Sequence, residues 1–153
     1  MFNKGDYVVY GHTGICLIED ITHKEEYSTD KNKLFYVLSP KEENYKIYVD
    51  TESTKTILRE IITPNEAKNI VNNKEIPQWI DNDKQRERHF KAEFKSCNCA
   101  KIAEIIKALY NRKKIKKLNV SDTRILKQAE SYLFKELSYT LNQPVDTIKK
   151  YFA

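Results

Sequence analysis

The sequence predicts an α+β protein in which a small β-barrel precedes a compact helical bundle. Apolar residues alternate in short runs over residues 6–62, whereas later they recur every three or four positions, as on one face of a helix. The charge also changes along the chain. Residues 1–78 carry 10 Lys/Arg against 13 Asp/Glu, a net of −3, and residues 79–153 carry 17 against 9, a net of +8. We therefore expect two domains, 1–62 and 63–153, with different partners.

Four or five short strands are predicted in the first domain. The β-rich runs lie at 7–10, 15–21, 34–38, 45–49 and 56–58. A polar stretch at 22–32 is expected to form a hairpin loop. Strands about ten residues apart favour a barrel, because closing a small sheet removes its exposed edges.

Four or five helices are predicted in the second domain. Thr63 and Glu66 flank Pro64 in the pattern of a capping box, so a short helix is expected to begin there and to end near residues 72–73. A second helix is expected to open at Asp81 or Asp83 and to run through residue 95. A third is expected at about 99–113.

The fourth helix is expected to be capped by Ser121, with Asp122 favoured in its first turn by the helix dipole. Pro144 is expected to open the fifth. Apolar stripes on the last three helices predict a shared core. Their members are Ile102, Ile105, Ile106, Leu109, Tyr110, Ile125, Leu126, Ala129, Tyr132, Leu133, Leu137, Val145, Ile148 and Phe152.

Several classes of protein are disfavoured by composition. No apolar run approaches the ~18 residues of a membrane helix, and the N-terminus lacks an apolar signal core, so a cytoplasmic protein is expected. Cys16, Cys97 and Cys99 fit neither a disulfide framework nor zinc-ligand spacing. His12 and His23 likewise lack metal-ligand spacing. With no glycine-rich phosphate loop, we expect no enzyme, no cofactor and no metal.

Basic residues crowd the helical domain opposite the apolar stripes or at helix ends. They include Lys84, Arg86, Arg88, Lys91, Lys95, Lys107, Arg112, Lys113, Lys114, Lys116, Lys117, Arg124 and Lys127. Like charges three or four residues apart repel by a few tenths of a kcal/mol, which a polyanion would offset. Nucleic acid is therefore one predicted partner, and a solvated lysine-rich face is the alternative.

Four segments of the chain carry motifs of a known family. Residues 2–15, FNKGDYVVYGHTGI, resemble the opening F-x-x-G-D-x-V-V-Y-P-x-x-G-V of the CarD/CdnL family of bacterial transcription regulators, with Gly11 in place of the usual proline. Residues 103–114 resemble the family's third helix. Residues 118–130, LNVSDTRILKQAE, and 136–141, ELSYTL, resemble the segments L-S-x-x-D/E-x-R-x-L-x-x-A-E and E-L-A-x-x-L that follow it.

The resemblance implies a mechanism without catalysis. In this family a Tudor-like N-terminal domain docks on the β subunit of RNA polymerase. The helical domain contacts promoter DNA at the upstream edge of the melted bubble, where a tryptophan wedges into the minor groove. A protein that binds the open complex better than the closed one stabilises the open state. A wedge at a distorted step needs no base code.

Carried over by position, the resemblance assigns candidate site residues. Lys24 and Tyr48 lie where family members contact the polymerase. Trp79, the only tryptophan, is the wedge candidate, with packing between the domains as its alternative role. The phosphate candidates, by position and charge, are Arg88, Lys91, Arg112, Arg124 and Lys127. A monomer is favoured, although strand exchange between copies stays open.

A second class of function stays open beside the first. The barrel could stack RNA bases on exposed tyrosines, without any polymerase contact. The candidate platforms are Tyr7, Tyr10, Tyr36 and Tyr48. A net charge of −3 fits that role poorly and fits a protein partner better.

Overall fold

Five short strands and then five helices follow one another along residues 1–153, all of which the computed structural model describes. The chain divides into two units, Met1–Ile61 and Ile62–Ala153, which hold the strands and the helices respectively. The predicted α+β class is confirmed. None of the five helices combines the length and the hydropathy that crossing a lipid bilayer requires.

The first unit is an antiparallel sheet of five strands. They are β1 (Tyr7–Tyr10), β2 (Gly14–Thr22), β3 (Phe35–Pro40), β4 (Ile47–Asp50) and β5 (Leu58–Glu60). Their order in the sheet is β4-β3-β2-β1-β5. A 3-10 turn, Gly11–Thr13, joins β1 to β2. The fourth strand begins later than predicted, because Tyr45 lies exposed before it, and the fifth is displaced by two residues.

The closed barrel predicted from strand spacing is not observed. Closure would require the two end strands to hydrogen-bond each other, yet β4 pairs with β3 and β5 pairs with β1. The end strands have only four and three residues, and short end strands limit the exposed edge without closure. The sheet is therefore open.

One buried cluster of the first unit lies on one face of the sheet. Val8, Cys16, Ile18, Tyr36 and Leu38 are buried together. Their register explains the cluster, since Val8 pairs with Cys16, and Ile18 pairs with Leu38 across the next ladder. Because side chains alternate between faces, these positions point to the same side.

The helices of the second unit are α1 (Pro64–Asn72), α2 (Asp83–Lys95), α3 (Cys99–Lys113), α4 (Val120–Leu141) and α5 (Val145–Phe152). The predicted capping box is confirmed: Thr63 Oγ1 accepts from the Glu66 N–H, and the Glu66 carboxylate accepts from the Thr63 N–H. The start of α2 and the start of α4 are both capped differently from the prediction.

Asparagine caps α2, α3 and α4. The side chains of Asn82, Asn98 and Asn119 each accept from the backbone N–H three residues later. Asparagine caps as well as aspartate or serine does, and here it occupies the last extended position before each helix. The predicted cap Ser121 is therefore wrong, because it lies inside α4. Helix α2 begins at Asp83, one of the two predicted positions, but neither Asp83 nor Asp81 is its cap.

The predicted apolar stripes of α3 and α4 are confirmed as core. Every residue predicted on the α4 stripe is buried, as are the four aliphatic residues of the α3 stripe. Tyr110 is half-buried, and its hydroxyl donates to Glu130 Oε2 at 2.7 Å. In α5, Ile148 and Phe152 are buried, whereas Val145 is exposed in the first turn and is not part of the core.

Candidate functional site

Trp79 lies in the segment before α2 and is half-buried. Its ring meets that of Phe90 edge-on, with 6.5 Å between the centroids. Two guanidinium groups also contact the indole: the central carbon of Arg86 lies 4.5 Å from the ring centroid, and that of Arg112 lies 5.0 Å away. Cations at these distances are attracted by the negative face of an aromatic ring. The predicted wedge residue is thus in contact with one predicted phosphate residue, Arg112.

Arg86 is buried, although it was predicted among the surface cations. Only 3% of the residue is exposed. Its Nε donates to Asp122 Oδ1 at 3.0 Å, and its Nη2 donates to Asp122 Oδ2 and to Asp83 Oδ1, both at 2.8 Å. The hydrogen bonds to Asp122 raise the pKa of Arg86 further above its ordinary value. Arg86 is therefore a buried cation with matched acceptors.

Two backbone carbonyls complete the surroundings of Arg86. Nη1 donates to the carbonyl oxygens of Ile80 at 2.9 Å and of Asp81 at 3.3 Å. These residues follow Trp79 directly in the chain. All five N–H groups of a guanidinium can be used in this way, so Arg86 ties the Trp79 segment to α2 and α4.

A sequence signal for the buried pair existed and was missed. Asp122 precedes Ile125 and Leu126 by three and four residues, which places it on the apolar stripe of α4. Arg86 precedes the buried Phe90 by four residues on α2. A charge on a core stripe requires a buried counter-charge, and Asp122, which is 4% exposed, supplies it.

The remaining predicted phosphate residues are exposed and lie outside the Trp79 contacts. Lys91 forms an ion pair of 2.7 Å with Glu87, one turn earlier on α2. A hydrogen bond from Lys91 and the nearby charge of Arg124 lower the pKa of Glu87. Lys91 on α2 and Arg124 on α4 are thus brought to the same carboxylate. Arg88 and Lys127 are exposed on the same two helices.

A basic turn follows α3 directly after Arg112. Lys113, Lys114, Lys116 and Lys117 are exposed, and Ile115 between them is 71% exposed. The turn is held by the Arg112 carbonyl, which accepts from the N–H groups of residues 115 and 116, both at 2.9 Å. The four lysines of this turn therefore follow Arg112, which contacts Trp79, directly in the chain.

The two predicted polymerase residues meet in the first unit. Lys24 Nζ lies 5.0 Å from the centroid of the Tyr48 ring. Tyr27, which is exposed, packs against Tyr48 and Phe35 with centroid distances of 5.6 and 5.7 Å. Tyr48 belongs to β4, an end strand of the sheet. An aromatic and basic patch thus lies beside an unpaired strand edge.

A polar surface cavity of about 360 Å³ opens at this patch. Its lining comprises Glu19, Asp20, Thr22, His23, Lys24, Val37, Lys46 and Tyr48. Lys46 forms an ion pair of 2.9 Å with Glu19, and this hydrogen bond lowers the pKa of Glu19. His23 Nδ1 lies 3.2 Å from the Lys33 carbonyl oxygen. The cavity is suited to a polar partner.

Two family models match this chain, one for each unit. Residues 66–153 match the CarD C-terminal domain, and residues 2–62 match the CarD-like/TRCF RID domain. The chain belongs to the CarD/CdnL family. Proteins with these domains are transcription factors that interact with RNA polymerase. No match was found among curated proteins.

One position departs from the CarD/CdnL pattern with a clear structural effect. Gly11 stands where the resemblance leads one to expect proline, and its φ is +46°. Its N–H donates to the Ile57 carbonyl at 2.7 Å. A Cβ at this position would lie 2.7 Å from Thr56 Cγ2. Proline has φ near −65° and no N–H, so this member of the CarD/CdnL family forms the turn differently.

Proposed function

We propose that this CarD/CdnL-family protein binds the β subunit of RNA polymerase through residues 1–62 and stabilises the promoter open complex through residues 63–153. The contacts to DNA are independent of sequence and lie near the upstream edge of the bubble. The observation that carries the proposal is the pair of family-model matches together with a half-buried Trp79 that contacts Arg112.

The docking half of the proposal rests on the patch around Lys24 and Tyr48. The patch supplies a cation from Lys24, an exposed aromatic surface from Tyr27, and a polar cavity. Strand β4 beside it has an edge without a partner strand, and such edges accept an added strand through backbone hydrogen bonds. These features favour a protein partner with acidic side chains.

The DNA half of the proposal rests on the surroundings of Trp79. An indole that is half-buried presents an exposed part to a distorted base step, and base–aromatic stacking contributes about 1–3 kcal/mol. Arg112 and the basic turn after α3 place cations next to the indole. Arg88, Lys91, Arg124 and Lys127 would hold phosphates on α2 and α4. Because phosphate contacts carry no sequence information, one protein would serve many promoters.

The alternative of base stacking on the sheet loses one of its platforms. Tyr36 is 3% exposed and belongs to the core of the first unit, so it offers no surface for a base. Tyr10 and Tyr48 are half-buried. The structure thus corrects the assumption that Tyr36 is accessible, and the docking proposal is the better supported.

A pull-down with purified β subunit tests the docking half. Lys24→Glu is expected to weaken capture at least tenfold, because it reverses the charge beside Tyr48. Lys4→Glu is the matched control, since Lys4 is exposed and does not line the cavity. Equal capture of wild type, Lys24→Glu and Lys4→Glu would place docking elsewhere. No capture of the wild-type chain would overturn the polymerase contact itself.

A further inference from the structure

We infer that Arg86 is a positioning residue, held by Asp122, that fixes the Trp79 indole in the orientation in which it meets DNA. The inference rests on the proposed function, which gives Trp79 the contact with the melted edge of the promoter. It adds a role for a buried arginine that touches no DNA itself. The basis is the contact of the Arg86 guanidinium with the Trp79 ring together with the hydrogen bonds that its N–H groups donate.

The guanidinium of Arg86 is held in place by carboxylates of two helices. Both carboxylate oxygens of Asp122 accept from Arg86, and Asp83 accepts from Nη2 on the same helix. Two parallel N–H···O bonds fix the plane of the group as well as its place. With both Arg86 and Asp122 almost fully buried, solvent does not compete for the two bonds between them.

The Arg86 guanidinium also restrains the backbone of the two residues that follow Trp79. Nη1 donates to the carbonyl oxygens of Ile80 and Asp81. This segment lies between α1 and α2, and it has no helical or strand hydrogen bonds of its own. The bonds from Arg86 therefore restrain the backbone from which the indole projects.

The Arg86 guanidinium also contacts the Trp79 indole directly. Its central carbon is 4.5 Å from the ring centroid, and Phe90 packs against the ring edge-on. Arg112 is the second cation on the ring, but it is half-exposed and so keeps a surface for a phosphate. Arg86 thus positions the indole, whereas Arg112 is the arginine that contacts the DNA phosphate.

A positioning role differs from a purely structural one in what it predicts. A buried ion pair replaced by apolar side chains of similar volume often leaves a protein as stable as before. Such a replacement would fill the space between α2 and α4, but it would leave the Ile80 and Asp81 carbonyls without Arg86 and the indole without its fixed neighbour. An indole that Arg86 has already ordered loses less entropy when Trp79 binds DNA, so losing Arg86 is expected to weaken that contact.

The test uses Trp79 fluorescence, because Trp79 is the only tryptophan. The first variant is the double replacement Arg86→Met with Asp122→Leu. The second is Arg86→Lys, which keeps the positive charge but loses the paired N–H donors of the guanidinium. In the free protein, acrylamide quenching and anisotropy decay of Trp79 are measured. With RNA polymerase and a promoter, the open-complex lifetime is measured for the same variants.

Both variants are expected to raise the quenching constant of Trp79 at least twofold and to add a fast component to its anisotropy decay. They should shorten the open-complex lifetime towards that of Trp79→Ala, and adding Trp79→Ala to either should shorten it no further. Ile148→Ala is the control for lost stability, since Ile148 is fully buried in α5. It should lower the melting temperature while Trp79 quenching and the lifetime stay unchanged.

Two results would overturn the inference: a folded double variant with wild-type quenching and lifetime, or equal changes in quenching from Ile148→Ala. The Arg86→Lys variant decides the question if the double variant does not fold. Failure of the proposed function has a different signature. In that case Trp79→Ala itself would leave the lifetime unchanged, and the quenching data would still decide whether Arg86 positions the indole.

Discussion

Arg112 on α3 lies over Trp79 in the segment before α2, with 5.0 Å between the guanidinium carbon and the ring centroid. Both residues are half-buried, so each keeps a surface for a further contact. The pair joins an aromatic surface suited to an unstacked base to a cation suited to a phosphate. It also marks where the basic turn after α3 begins.

Salt dependence tests the assignment of Arg112 and Arg124 to phosphates. Each Arg→Ala replacement is expected to lower the affinity of the helical unit for duplex DNA, and to reduce the slope of log affinity against log salt by about one. Anisotropy titrations with labelled duplexes of several sequences at about 50–200 mM salt measure both quantities. Lys68→Ala on α1 is the control. Affinity that does not respond to salt would argue for another kind of recognition.

The division into two units predicts that residues 1–61 fold alone. All five strands and the buried cluster around Ile18 lie within this fragment. A domain of about this size is only marginally stable, so we expect a cooperative but low melting transition by circular dichroism. The fragment should still capture the polymerase β subunit, and residues 62–153 should keep the DNA contact. A folded fragment that fails to bind would contradict this assignment.

Gly11→Pro should destabilise the first unit by about 3 kcal/mol or more, although the resemblance leads one to expect proline there. Proline cannot adopt the φ of +46°, and it removes the hydrogen bond to Ile57. Urea unfolding of the 1–61 fragment measures the change. Gly5→Ala is the comparison: its φ is also positive, but a Cβ there would meet nothing within 4 Å. Equal stability of Gly11→Pro and wild type would show that the turn can rearrange.

Because Cys16 is buried, the free energy of unfolding is expected to fall as the pH rises above 9. Burial raises the pKa of this thiol from 9.0 to about 11. The unfolded state therefore loses the proton first as pH rises, so the stability that the buried thiol contributes is complete below pH 9 and is lost between pH 9 and 11. Between pH 8 and 10.5, Cys16→Val should lose about 1–2 kcal/mol less stability than wild type. Parallel pH profiles for the two proteins would contradict this.

Local signals explain why much of the fold was predictable. The capping box at Thr63 and the apolar stripe of α3 depend on residues within one or two turns, and both were located correctly. The caps of α2 and α4 were misplaced because asparagine, aspartate and serine cap almost equally well. Which one serves is decided by where the chain becomes helical.

Long-range contacts explain what the sequence did not show. Whether β4 and β5 pair depends on the curvature of the whole sheet, which strand spacing does not encode. In the sequence, Arg86 looks like the exposed basic residues around it. Its burial is explained by its partner Asp122, which lies on another helix. The contacts of Trp79 with Arg86 and Arg112 were hidden for the same reason.

Trp79→Ala separates function from packing. Full truncation of a buried aromatic residue costs about 3–5 kcal/mol, but Trp79 is only half-buried, so a smaller loss is expected. Capture of the β subunit should be unchanged. A drop in melting temperature as large as that of a core truncation would instead assign Trp79 to packing.

The proposed stabilisation of the open complex is tested by the lifetime of that complex after a polyanion challenge. Purified RNA polymerase is compared without the protein, with wild type, and with Trp79→Ala, each at saturating concentration. Wild type is expected to prolong the lifetime, and Trp79→Ala is expected to shorten it several-fold relative to wild type. A wild-type protein that binds the β subunit yet leaves the lifetime unchanged would contradict it.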